Sequence, residues 1–286
     1  MSAFKTILVP LDESSEAAAP LEVAFRLAET FGSHVTALHV RPDPAQLIPM
    51  VGEGMSGAMV EEMLGMAEQR SGERAADIRA IYDAVRINHP LPEASAPPTE
   101  GATCRWLELT GREEEQVAWH GRLNDLIVMA RSAESDGGPS ATLNAALMDS
   151  GKPLLLAPPA GAETIAQHVA IAWNGSAEAA RAVAYAMPLL ASARSVTILT
   201  AAEGNQGGTA GQELVQSLAW HGITAQSHAI APGSHAGPAL LGECQAVGAD
   251  LLVMGAYTHS RLRQLILGGV TRHVLAHAQV PVLLCH

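Results

Sequence analysis

Aromatic residues are scarce in this 286-residue sequence, with three Phe, three Tyr and four Trp, or 3% of the chain. So few flat rings leave little to stack on the bases of single-stranded nucleic acid. Positive charge is also short: 17 Lys and Arg face 29 Asp and Glu, a net charge of −12. A chain of that sign cannot neutralise a run of phosphates, so nucleic acid is excluded as a partner. The three cysteines, Cys104, Cys244 and Cys285, are too few and too scattered for a disulfide framework or a CxxC metal site. No apolar run approaches the roughly 20 residues needed to span a bilayer, and no membrane partner is expected. The opening Met1-Ser2-Ala3-Phe4-Lys5 leads straight into Ile7-Leu8-Val9 with no signal peptide, so a cytoplasmic location is expected. Neither a GxGxxG after a first strand, nor GxxxxGK[ST], nor GxSxG is present. Rossmann, P-loop and α/β-hydrolase chemistry therefore have no foothold.

Hydrophobic residues make up 48% of the chain and charged residues 16%, ample material for packed cores. The length suits two domains, and the sequence repeats itself. Ile7-Leu8-Val9-Pro10-Leu11-Asp12-Glu13-Ser14-Ser15-Glu16-Ala17 aligns with Val169-Ala170-Ile171-Ala172-Trp173-Asn174-Gly175-Ser176-Ala177-Glu178-Ala179. Asp12 falls on Asn174, Ser14 on Ser176 and Glu16 on Glu178. Three further pairs follow in the same order. They are His34–Val40 with Ser195–Thr200, Asp125–Ala130 with Asp250–Gly255, and Lys152–Leu156 with Val280–Leu284. Four matched segments in one order point to a duplication. Ala157-Pro158-Pro159-Ala160-Gly161 marks the boundary, giving copies at 1–160 and 161–286.

Each copy reads as five strands alternating with helices. That pattern predicts an α/β fold of two tandem doubly wound domains, each with a five-stranded parallel sheet. Third strands are expected at Thr103–Leu109 and Ile223–Ile230, and the helices after them near Arg112–Leu123 and Gly237–Val247. The first copy adds a helical stretch from about Ala58 to Ile87 and a Pro-rich loop over 88–101, whose composition suggests mobility.

Ligands of such sheets sit beyond the carboxyl ends of the strands, where strand order reverses. In the second copy this points to Asn174–Ser176 and to the loop beginning at Gly255, which ends Ile266-Leu267-Gly268-Gly269-Val270-Thr271 before a helix. Gly268 and Gly269 would let a phosphate approach the backbone, the helix start offers free N–H groups, and Arg261, Arg263 and Arg272 add charge. The same glycines also suit close helix–sheet packing, and both readings stay open. Residues 161–286 hold five Arg and six Asp or Glu, whereas residues 1–160 hold twelve Lys or Arg and twenty-three Asp or Glu. An anion therefore meets far less repulsion in the second copy. His273 and His277 have metal-ligand spacing on a helix, but no further ligand is identifiable, so a surface pair is the reading taken. Glu113-Glu114-Glu115 suits the positive end of a helix, and Trp173 is read as a core residue.

These segments resemble the universal stress protein family in its tandem form. The resemblance rests on Pro10-Leu11-Asp12-Glu13-Ser14, Asp250-Leu251-Leu252-Val253-Met254-Gly255 and Val280-Pro281-Val282-Leu283-Leu284, and it covers nearly the whole chain. The family's ATP pattern is Gly, two residues, Gly, nine residues, Gly and Ser/Thr. Gly255 and Gly268 fill its first and third positions; Thr258 replaces the second glycine and Gly269 the final Ser/Thr, with Thr271 near enough to offer a hydroxyl. Asn174 stands where nucleotide-binding members carry Asp, which weakens any Mg²⁺ site.

The resemblance implies strand order 3-2-1-4-5. It also implies an adenine-nucleotide site, with Asn174 and Ser176 at the base or ribose and Gly255, Thr258, Gly268, Gly269, Val270 and Thr271 toward the ribose and phosphates. At most it implies slow ATP hydrolysis. The first copy keeps Asp12, but Ala130–Gly138 places Glu134 and Asp136 where phosphate would lie, and it is read as degenerate. The family's last strands pair in dimers. Leu154–Leu156 and Val282–Leu284 are thus placed to pair as an intramolecular pseudo-dimer, and a homodimer of two chains stays open. The alternative is a nucleotide-free interaction protein that presents a partner or apolar-ligand surface.

Overall fold

The computed structural model describes residues 4–12, 17–43, 57–97, 100–131, 140–201, 207–231, 235–256 and 269–286. The first half runs β1 (Thr6–Pro10), α1 (Ala18–Phe31), β2 (His34–Arg41), α2 (Gly57–Asn88), β3 (Thr103–Thr110), α3 (Glu113–Arg122), β4 (Leu126–Ala130), α4 (Ala141–Asp149) and β5 (Leu154–Ala157). The second runs β6 (His168–Ala172), α5 (Ala177–Ser192), β7 (Ser195–Ala201), α6 (Gly207–Ala219), β8 (Ala225–Ile230), α7 (Ala236–Ala246), β9 (Leu251–Gly255), α8 (Gly269–His277) and β10 (Val282–Cys285). Strand order is β3-β2-β1-β4-β5-β10-β9-β6-β7-β8, so each half has the expected 3-2-1-4-5 order. Both halves are parallel within themselves. They join through an antiparallel ladder that sets Leu154, Leu155 and Leu156 of β5 against Leu284, Leu283 and Val282 of β10, respectively.

The central strands β4, β5, β9 and β10 are apolar without alternation because helices cover both faces. Alternate residues then divide between two cores. Leu155, Val253 and Leu283 face α1 and α5 in one; Leu154, Leu252 and Leu284 lie in the other with Leu143 of α4 and Val274 of α8.

The duplication extends to polar detail. Asp125, just before β4, accepts the backbone N–H groups of Lys5 and Thr6 at 2.8 and 3.1 Å, and Asp250, just before β9, accepts those of His168 and Gln167 at 2.8 and 3.1 Å. In each half the acid fixes the entry of the first strand, satisfying donors that open a buried sheet.

Two details differ from expectation. β8 starts two residues late because the Ile223 N–H turns back to the Leu218 carbonyl and closes α6. The Pro-rich segment after α2 is held over part of its length. Cys104 donates its N–H to the Pro92 carbonyl and accepts the Ala94 N–H, so residues 92–94 lie along the outer side of β3. Pro residues suit that place, since an edge partner needs few donors.

Candidate functional site

In the second half the chain leaves β6 for β7 on one side and returns at β9 on the other. The switch point is therefore the gap beyond the carboxyl ends of β6 and β9. Trp173, half-buried against the core, donates its backbone N–H to the Leu199 carbonyl and fixes the exit from β6.

Asn174 follows, exposed, and its Oδ1 accepts the Ser176 N–H at 3.1 Å across Gly175, whose φ is +73°. Ser176 Oγ in turn accepts the Ala179 N–H at 3.1 Å and caps α5. Both oxygens are thus spent on the turn. The Asn174 amide N–H₂ group has no partner among the described residues and remains a donor toward the gap.

Gly255 ends β9 directly beneath α5. A Cβ there would stand 2.5 Å from the Ala179 nitrogen and 2.7 Å from the Glu178 carbonyl carbon. Its missing side chain therefore serves close helix–strand contact.

Gly269, the first residue of α8, is different: it is exposed, and among the described residues nothing lies within 4 Å of where its Cβ would be. Val270 is half-buried against the second core and Thr271 is buried, so Gly269 is the open end of that helix. Thr258, Gly268, Arg261 and Arg263 lie outside the described residues.

Two charged residues that sequence reasoning had not assigned stand beside the gap. Glu178, in the first turn of α5, pairs with Arg181 at 3.0 Å. Its own backbone N–H at the helix start, followed by Arg181, holds its carboxyl below the usual range. Arg181 also donates from Nε to the His286 carbonyl at 2.9 Å, and the Ala256 N–H donates to the Cys285 carbonyl at 2.8 Å. Burial pushes the Cys285 thiol up to about 12, so it is inert at neutral pH. A signal for this pair was present: Glu178 matches Glu16 in the repeat, and Arg181 follows it at i, i+3 spacing.

The equivalent crevice of the first half is lined by Asp12, Glu113, Met129, Ala130 and Ser140 and encloses 80 Å³ among the described residues. Two carboxylates there repel an anion. Elsewhere, His273 and His277 stack with centroids 4.2 Å apart, and the His277 Nδ1 bonds the His273 carbonyl at 3.0 Å. Among the described residues no three His, Cys, Asp or Glu side chains are grouped to hold a metal ion. No helix among them is long and apolar enough to cross a membrane.

A sequence model of the universal stress protein family matches residues 3–136 and 166–286. No curated protein sequence matches the chain. Among solved structures, a universal stress protein from Archaeoglobus fulgidus is 16% identical over 98% of this chain and 95% of its own, with a TM-score of 0.70. A functionally unknown protein from Pseudomonas aeruginosa is 14% identical over 99% and 93%, with a TM-score of 0.56. A universal stress protein solved in complex with cAMP is 12% identical over 55% of this chain and 99% of its own, with a TM-score of 0.32. With the family's sequence pattern spread over both halves and its strand order in each, the chain belongs to the universal stress protein family.

Proposed function

We propose that this chain is a cytoplasmic binding module of the stress response whose second domain, 161–286, takes an adenine nucleotide, ATP, while the first, 1–160, is a structural copy with a degenerate loop. Two unspent groups carry the reading, one after β6 and one after β9, the strands that flank the switch point. One is the Asn174 amide donor; the other is the open, glycine-led start of α8. The donor suits a base or ribose edge, and the helix start suits phosphate. Ser176 and Gly255 support the site by shaping the start of α5 against β9, with Val270 and Thr271 anchoring α8. The adjoining 257–268 segment, with Thr258 and Gly268, would complete the phosphate contacts. Glu178 is already paired with Arg181, so Mg²⁺ would arrive chiefly on the nucleotide's own phosphates. With no grouped carboxylates among the described residues, turnover falls far below the roughly 1–10³ s⁻¹ typical of enzymes.

Calorimetric titration of the full chain with ATP tests this. Gly269→Val places a branched side chain at the phosphate end and Asn174→Ala removes the donor. Each should weaken ATP by about tenfold or more, as losing a charge-assisted or donor contact does. Folded variants that bind ATP as the wild type does would remove the nucleotide reading. The alternative, a nucleotide-free interaction protein, draws on Gly255, whose glycine is fully accounted for by packing under α5. It predicts no saturable ATP binding by the wild type.

A further inference from the structure

Far from the switch point, the last turns of α1 and α5 and the 163–168 segment that leads into β6 border a half-open cavity of 580 Å³ between the two domains. Ligand pockets occupy roughly 300–1,000 Å³. Two guanidinium groups line it, Arg26 and Arg194. Neither side chain bonds or pairs with any described residue, and Arg26 Nε is shielded from solvent with no acceptor. The half-buried Arg26 side chain thus has no acceptor among the described residues, and one arriving in the cavity would supply it.

Two carboxylates, Glu29 and Glu163, share the lining with the two arginines and match them in number. Glu29 is bonded to His89 Nδ1 at 2.9 Å, and Glu163 is exposed. Of the helix-end carbonyls, which would repel an anion, those of Ala28 and Leu189 are capped: Gly32 and Ser33 donate to the first, and Ser192 Oγ donates to the second.

The wall is also fixed in place. Ala166 holds a φ of +60°, the Gln167 and His168 N–H groups are bound by Asp250, and the Arg194 N–H donates to the Gln167 carbonyl at 2.8 Å. The base of the Arg194 side chain is therefore tied to the wall opposite α1. Leu27, Ile165 and Leu189 supply the apolar part of the lining.

We propose that this interdomain cavity binds a small organic oxyanion, its carboxylate or phosphate held by Arg26 and Arg194 and its apolar portion set against Leu27, Ile165 and Leu189. The site is separate from the nucleotide gap and stands whether or not ATP binds there.

The full chain is titrated calorimetrically with phenyl phosphate, benzoate and inorganic phosphate. One saturable site is expected for phenyl phosphate or benzoate, tighter than for inorganic phosphate, and the tighter of the two names the oxyanion class. Arg26→Gln and Arg194→Gln should each weaken that probe about tenfold or more. Arg194 is exposed, so its variant keeps the reading testable if Arg26→Gln perturbs folding by circular dichroism. Gly269→Val should leave the probe's affinity unchanged. The proposal is overturned by no saturable binding of any probe, by binding indifferent to both arginines, or by loss of binding in Gly269→Val, which would place the probe at α8.

Discussion

Gly255 and Gly269 both fall within the family pattern, Gly255 as its first glycine and Gly269 in place of its final Ser/Thr, yet they do different work. Where Gly255 sits, an added methyl would press on the backbone of α5 at 2.5 Å, and backbone cannot swing aside. Gly255→Ala should therefore destabilise the chain by about 1–3 kcal/mol. Gly269→Ala meets nothing among the described residues at a helix start and should be neutral or stabilising by up to about 1 kcal/mol. Urea denaturation of the two variants measures the contrast, and equal midpoints would show that α5 can lift from β9. The sequence marked both positions as special because glycine is conspicuous. It could not say which glycine stands exposed and which makes room for a helix, since that depends on a crossing between elements distant in the chain. Glu178 and Arg181 were hidden for a similar reason: an ion pair at i, i+3 reads as surface until the strand beneath it is placed.

At the scale of elements, the long α2 and the segment after it carry the least legible part of the fold. The helix itself was plain, and its observed limits fall within a residue of the expected ones. Its attachment was not. Buried positions begin only at Ser71 and continue through Ala75, Ile78, Tyr82 and Val85, so the first turns stand clear of the core.

Tyr82 is the centre of the attachment. Its ring meets Phe25 edge-on at 6.3 Å and Trp106 at 5.5 Å, and its hydroxyl donates to Cys104 Sγ at 3.3 Å. Arg79 and Arg86 lie over the same ring, 5.1 and 5.6 Å from its centroid, and both pair with Glu93. Glu93 belongs to the Pro-rich segment, which is how a stretch whose composition suggested mobility comes to be fastened beside β3. Composition registers the lack of donors in prolines; it does not register that the Pro92 carbonyl and one N–H suffice to pair with an edge strand.

Tyr82→Ala should cost about 3–5 kcal/mol, the range for losing a buried aromatic. Tyr82→Phe removes only the hydroxyl bond and should cost about 0.5–1.5 kcal/mol. Hydrogen exchange supplies the structural readout: Ala94 and Cys104 amides should lose protection in Tyr82→Ala well before those of β1. Protection that fell equally everywhere would mean that Tyr82 serves the core alone.

At the scale of the whole molecule, the decisive contact is the seam between β5 and β10. The duplication and the family resemblance together placed these two strands opposite each other, and the structure pairs them antiparallel in register with Leu155 facing Leu283. Each domain on its own would present this strand as a bare apolar edge, an invitation to aggregate. Paired, the two edges disappear into a ten-stranded sheet. Further bonds cross the same boundary: Tyr185 of α5 donates to the Gly151 carbonyl at 3.3 Å, and Arg131 donates to the Ala276 carbonyl of α8. The cores are shared too, with Leu155 and Leu283 in one cluster and Leu154 and Leu284 in the other.

Two domains so joined should unfold together, although separate domains of this size often unfold in steps. Leu283→Ala opens a cavity where both domains contribute atoms and should lower stability by about 2–5 kcal/mol. Because the loss falls on the seam, it should shift one cooperative transition, seen alike by far-ultraviolet circular dichroism and by tryptophan fluorescence. Trp106 and Trp119 report on the first domain, Trp173 and Trp220 on the second. Coincident curves in wild type and variant would show that the seam couples the halves. Separate transitions in the wild type would show instead that the ladder is an adhesion between independently stable domains, and the shared core would then contribute less than its burial suggests.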